Sequence, residues 1–168
     1  MIKKIGKIVF FALFLSNCGF SPMYKAQNNQ SIITKTQEIN ILPISDKRGF
    51  ILYELLENKL NPYKKKNFQY TLSVKVSKTE NKNIILQSND LSSREGITVK
   101  AEYTLKDKAG KILMTAKDEA SGRYNVLKEG YATYMTAEKL ESDLLNMLAD
   151  KISLRLMSYF KREAVRAS

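Results

Sequence analysis

The sequence predicts an α+β domain: a four-stranded mixed, largely antiparallel sheet with two helices packed on one face, in the order strand–helix–strand–strand–strand–helix. Three observations carry that expectation. Phe68–Ser77 and Ile97–Lys106 alternate apolar and polar residues cleanly, as strands do when one face is buried and the other wet. The turn sequence Asp107-Lys108-Ala109-Gly110 follows the second of them and marks a hairpin. Arg48–Leu60 and Thr133–Phe160 carry apolar residues every three or four positions, the spacing of an amphipathic helix.

Residues 1–17 read as a lipoprotein signal peptide. Lys3, Lys4 and Lys7 give a cationic start, and Ile8–Leu15 is an unbroken apolar run. The run is too short for a bilayer span, which takes roughly 20 residues. A charged start, a short apolar core and a small-residue end describe an export signal. The run is followed closely by the only cysteine, Cys18. A lone cysteine forms no internal disulfide, so the economical expectation is acylation of its sulfur, with cleavage leaving Cys18 first. Asn17 departs from the Gly, Ala or Ser usual before such a cysteine. Each acyl CH₂ buried in lipid contributes ~0.8 kcal/mol, so two or more chains anchor stably. Gly19, rather than Asp, favours the outer membrane over the inner, as in lipoproteins generally.

Residues 18–35 read as the lipidated N-terminus and a tether, polar and irregular with Gly19, Pro22, Asn28, Asn29, Gln30 and Ser31. The domain is expected over 36–160. A first strand falls at 36–43 and ends at Pro43, and Ser45 or Asp46 caps the first helix. Asn61-Pro62 stops that helix. The strand from Phe68 is followed by Ile84–Ser88, which extends it or begins another, and then by a polar interruption at Ser88–Asp90. Lys111 to about Tyr124 returns from the hairpin, with Gly122 marking a candidate bulge. In the last helix Ala137, Leu140, Leu144, Leu148, Ile152, Leu156 and Tyr159 form one stripe, widened by Leu145, Leu154 and Phe160. Residues 161–168 read as a frayed basic tail. Strands joined by short connections pair antiparallel, while the first strand, returning through a helix, pairs parallel.

Composition narrows the function. With 43% hydrophobic and 27% charged residues the chain has the makings of one folded domain. The net charge is +11, and the exported part stays basic without the leader's lysines, which suits anionic lipid, phosphate or acidic protein surfaces. Export argues against nucleic acid as a partner. There is no histidine, so a Ser/His/Asp triad is excluded and a zinc site would need carboxylates alone. No enzyme activity, cofactor or metal is expected.

At Cys18 the chain reads Cys-Gly-Phe-Ser-Pro-Met-Tyr. This resembles the start of mature LptE, the LPS-assembly lipoprotein, in its alphaproteobacterial form. The resemblance continues through Ile41-Leu-Pro-Ile-Ser-Asp46, Arg123-Tyr124-Asn125, Tyr131-Ala132-Thr133, Leu148-Ala149, Ile152 and Arg155-Leu156. It implies two helices on a four-stranded sheet, matching the pattern above. It also implies a partner, an LptD-like outer-membrane β-barrel whose lumen the protein plugs, and a role in delivering lipopolysaccharide to the cell surface. The expected location is the outer membrane, lipid-anchored, on the periplasmic side or inside the barrel lumen. Only Cys18, as the acylated residue, carries over by position.

Alternation places Lys75, Lys100 and Lys106 on the wet side of the sheet, with Lys117 and Arg123. They are candidates for phosphate contacts to lipopolysaccharide, with an ordinary solvated face as the alternative; Glu102 among them makes the chemistry mixed. Lys64-Lys65-Lys66 reads as a solvated turn or a phosphate-facing patch. Tyr124, Tyr131 and Tyr134 read as core or rim residues or interface anchors, and Asp143 and Asp150 as solvated. A stand-alone lipoprotein that binds an anionic ligand without a barrel is the second functional reading. An enzyme working with carboxylates alone is a third.

Overall fold

The computed structural model describes residues 30–84 and 93–166. Cys18, the leader, the tether to residue 29 and the Ser88–Asp90 interruption lie outside the described residues. Among the described residues seven elements follow one another: α1 (Gln30–Gln37), β1 (Ile39–Ile41), α2 (Asp46–Leu60), β2 (Tyr70–Ile84), β3 (Ser93–Asp107), β4 (Ile112–Asn125) and α3 (Gly130–Arg166). The sheet order is β1-β2-β3-β4. β1 pairs parallel with β2, and β2–β3 and β3–β4 pair antiparallel. The architecture is the expected α+β sheet with its two main helices on one face.

Several boundaries differ from the expectation. The short helix α1 occupies residues 30–37, where the sequence reads as the end of the tether and the beginning of a strand. It buries Ile32, Thr36 and Gln37, and the Thr36 hydroxyl donates to the Ile33 carbonyl at 2.8 Å. Only Ile39–Ile41 remains as strand, tied on by Leu42 N–H to the Leu72 carbonyl at 2.9 Å. Of the two candidate caps for α2, Asp46 does the work: its Oδ1 accepts from Gly49 N–H at 2.9 Å, whereas Ser45 makes no side-chain cap bond. Asp46 sits at φ 71°, a conformation Asp tolerates better than most residues.

The β3–β4 turn forms as read. Gly110 N–H bonds the Asp107 carbonyl at 3.0 Å, and Gly110 takes φ 84°. The bulge falls elsewhere than expected. Gly122 pairs regularly with Ile97, and the register slips instead between Leu105 and Lys106, leaving Leu113 as the extra residue. That slip lets both Leu113 and Met114 pack against the core. Gly122 has a different cause: a Cβ there would lie 2.7 Å from a Leu140 methyl, so its bareness lets α3 settle close to β4.

The core lies between sheet and helices. Leu72, Val99, Ala101 and Leu105 from the sheet meet Leu52 and Leu56 of α2 and Leu145, Leu148, Ala149, Ile152 and Leu156 of α3, all fully buried. Tyr70 and Phe160 stack in a tilted pair at 4.9 Å, closing one end. The stripe on α3 matches the sequence reading except at Leu154, which is exposed. At 1.5 Å per residue α3 is about 55 Å long, and Lys161–Arg166 continue the helix where a frayed tail is expected. Lys47–Glu138 and Lys59–Asp150 ion pairs at 2.8 and 2.7 Å, in the same sequence order on both helices, show that α2 and α3 run parallel.

Candidate functional site

Among the described residues no helix covers the second face of the sheet, and its composition follows from strand alternation. The register sets side chains in rows across β2, β3 and β4: Ser73–Thr104–Thr115, Lys75–Glu102–Lys117, Ser77–Lys100–Glu119 and Thr79–Thr98–Ser121. All five cations singled out from the sequence lie on this face. The face is a hydroxyl-rich surface crossed by two charged rows.

The cations are not equivalent. Lys117 donates to Glu102 at 2.5 Å, and Lys100 pairs with Glu119 at 3.4 Å. The hydrogen bond and charge of Lys117, with Lys75 adding, hold the Glu102 carboxyl below its ordinary range. Exposed pairs of this kind contribute little to stability. Lys75, Lys106 and Arg123 have no ion pair among the described residues. They sit in separate rows: Lys106 with Thr71 near the β3–β4 turn, Lys75 mid-sheet, and Arg123 with Gly96 and Asn81 toward the far end. From the Lys106 row to the Arg123 row is ten residues of β2, or about 33 Å of strand. They are points of positive charge along a long face, not one pocket.

Arg123 also borders a groove of about 500 Å³ between the end of β4 and α3, lined with Arg94, Tyr124, Leu127, Lys139 and Asp143. Arg94 Nε donates to Asn125 at 3.1 Å, and Lys139 pairs with Asp143 at 3.5 Å. Tyr124 belongs to the core edge; its hydroxyl donates to Glu95 at 2.5 Å, which, with burial, pushes its pKa up to about 12. Tyr131 and Tyr134 are not core residues: they are 77% and 57% exposed at the start of α3. The Lys64–Lys66 loop is an exposed turn, held by Asn61 through bonds of 2.9 and 3.0 Å to the Lys65 backbone. It lines a second hollow with Glu54 and Glu57, and there burial raises the Glu57 carboxyl's pKa against the lowering effect of Lys64.

The helix-facing side holds polar groups that the sequence reading passed over. Lys78 continues the inward parity of Tyr70, Leu72, Val74 and Val76, so the same alternation, carried two residues past Val76, identifies it. It contacts Glu141 of α3 at 2.6 Å and Glu80 at 2.7 Å, and Arg48 of α2 reaches Glu141 at 3.6 Å. Burial lowers the Lys78 pKa, but the two carboxylates outweigh it and leave it raised. Farther along, the buried Tyr103 hydroxyl donates to Asp118 at 2.5 Å, and Arg155 of α3 grips the same carboxylate with two bonds of 2.9 and 2.5 Å. These clusters tie helices to sheet. Among the described residues no group of three His, Cys, Asp or Glu is placed to hold a metal, and no helix is long and apolar enough to cross a membrane.

No family model matches the chain, and no curated protein matches it in sequence. Solved structures do match its fold. A Caulobacter crescentus CB15 protein described as a lipoprotein superposes with a TM-score of 0.62 at 16% identity, over 79% of this chain and 97% of that one. The minor lipoprotein of Acinetobacter baumannii gives 0.57 at 16% identity, over 73% and 92%. The rare lipoprotein B of Shewanella oneidensis gives 0.53 at 15% identity, over 74% and 98%. The α+β fold of this chain is thus one that bacterial lipoproteins share.

Proposed function

We propose that this chain is an outer-membrane lipoprotein, anchored through an acylated Cys18, that partners and plugs an LptD-like β-barrel and supports delivery of lipopolysaccharide to the outer leaflet. One coincidence supports the reading. An export leader ends at a lone cysteine, and the domain behind it has a fold that three bacterial lipoproteins share over nearly their whole length. In this reading the helix layer seals the core, and the open face of the sheet is the working surface. Its hydroxyls suit sugar and water, and Lys75, Lys106 and Arg123 retain unspent charge for phosphate. Such contacts strengthen in a confined lumen, where the effective dielectric falls.

The test is affinity purification of the tagged full chain from detergent-solubilised membranes of its own host. Stoichiometric recovery of a large outer-membrane β-barrel is the expected result. Recovery of the chain alone contradicts the barrel partnership and leaves the stand-alone lipoprotein.

A further inference from the structure

The geometry points to a self-association surface: the free edge of β4 is built to pair antiparallel with β4 of a second copy, about a two-fold axis at Asp118. This does not depend on the barrel reading. β4 is 14 residues long and pairs only with β3 among the described residues. The opposite edge strand, β1, has 3 residues. A long strand edge without proline is a template for another strand.

Direction and register both follow from the residues on β4. The Glu119 carbonyl faces away from β3, because Lys151 of α3 reaches it at 2.6 Å. Backbone groups alternate sides along a strand, so Thr115, Lys117 and Ser121 point the same way. Centring the pairing on Asp118 sets Lys117 opposite Glu119 of the second copy, and Glu119 opposite its Lys117. The stretch from Met114 to Gly122 then overlaps from end to end, inside the regular register that runs from Met114 to Asn125. On the open face each charged row runs on across the axis. Lys75–Glu102–Lys117 meets Glu119–Lys100 of the second copy, so the signs alternate through both sheets, and the symmetric row does the same. On the helix side Asp118 meets its own copy at the axis, each carboxylate already held by Arg155, and Ala116 falls opposite Ala120, small enough for two helix layers to stand side by side. Met147 and Leu154 flank Lys151 at helical spacing and are 50% and 42% exposed, giving the two α3 helices apolar surface to share beside the paired strands. Lys151 occupies the carbonyl that the second copy's Lys117 N–H would take, so it acts as the guard of this edge.

The test uses the full chain in membranes, with Cys18 kept. The variant carrying Thr115→Cys and Ser121→Cys places the two thiols opposite each other across the axis, with Cα atoms about 5.5 Å apart. Mild oxidation is expected to give a covalent dimer of the double variant and none of either single variant. In detergent, light scattering on the native chain is expected to show a concentration-dependent dimer. Lys117→Glu is expected to weaken it about tenfold by setting like charges opposite, and Lys151→Ala to strengthen it by freeing the carbonyl. A native chain that stays monomeric overturns the proposal. So does a double variant that fails to cross-link, a Ser121→Cys single variant that cross-links as well as the double, or a cross-linked product with the mass of a different protein.

Discussion

Asp118 shows how much of the fold rests on single side chains. Burial alone would raise its carboxyl pKa; the bonds from Arg155 and Tyr103 outweigh this and hold it below the ordinary range. A carboxyl depressed in the folded state contributes stability that is full above its unfolded pKa, near ~4. That contribution is lost as the pH falls through the folded value. Replacing Asp118 with Ala leaves a buried tyrosine hydroxyl without its acceptor and is expected to cost about 1–3 kcal/mol at neutral pH in chemical denaturation. Asp118→Asn should flatten the loss of stability on acidification below about pH 4, and an acid limb identical to that of the native chain would refute this assignment. The cations of the open face differ in the same residue-level way. Lys75→Glu together with Lys106→Glu is expected to weaken lipopolysaccharide binding by the purified chain about tenfold. Lys100→Glu, whose charge Glu119 already meets, should do less. Equal losses would show that pairing within the sheet does not matter.

At the scale of elements, two glycines make opposite predictions. A Cβ on Gly49 would lie 2.7–2.8 Å from the backbone and side chain of Ile44, where α2 starts. Backbone cannot swing aside, so Gly49→Ala is expected to cost about 2 kcal/mol or more, seen as a lowered melting temperature. At Gly122 the obstacle is the end of the Leu140 side chain, which can change rotamer, and Gly122→Ala should cost under about 1 kcal/mol. A reversal of that order would mean that the α3–β4 contact, not the α2 start, is the tighter joint. The strands are legible because alternation has a fixed period: Leu72, Val74, Val99, Ala101, Tyr103 and Leu105 fall on the core side as read, and Lys75, Lys100 and Lys106 on the other. What the sequence concealed has physical causes. α1 looked like tether because its polar residues mask a single buried isoleucine, Ile32. Gly122 reads as a candidate bulge because glycine serves both slips and close approaches, and only the position of α3 separates the two. Tyr131 and Tyr134 read as core, rim or interface residues because tyrosine suits either side of a boundary, and their exposure leaves the rim or interface reading. Which cations keep their charge free depended on register: nothing within β3 alone says that Glu119 arrives beside Lys100.

For the molecule as a whole, the two faces of the sheet divide the labour. One face is closed by α2 and α3, with Lys78–Glu141 and Asp118–Arg155 contacts fixing α3 on the sheet. The other presents hydroxyls and, among the described residues, a sparse line of cations without an ion pair, and β4 pairs there on one edge alone. A domain with an open sheet face and a free strand edge among its described residues is suited to contact, and acyl chains on Cys18 would make that contact happen at a membrane. The most direct trial is intact-mass spectrometry of the chain isolated from its native membranes. The account predicts a protein that begins at Cys18 and carries the mass of a diacylglyceryl group, with or without a further acyl chain. A chain with a free thiol at Cys18, or one still joined to residues 1–17, would contradict it.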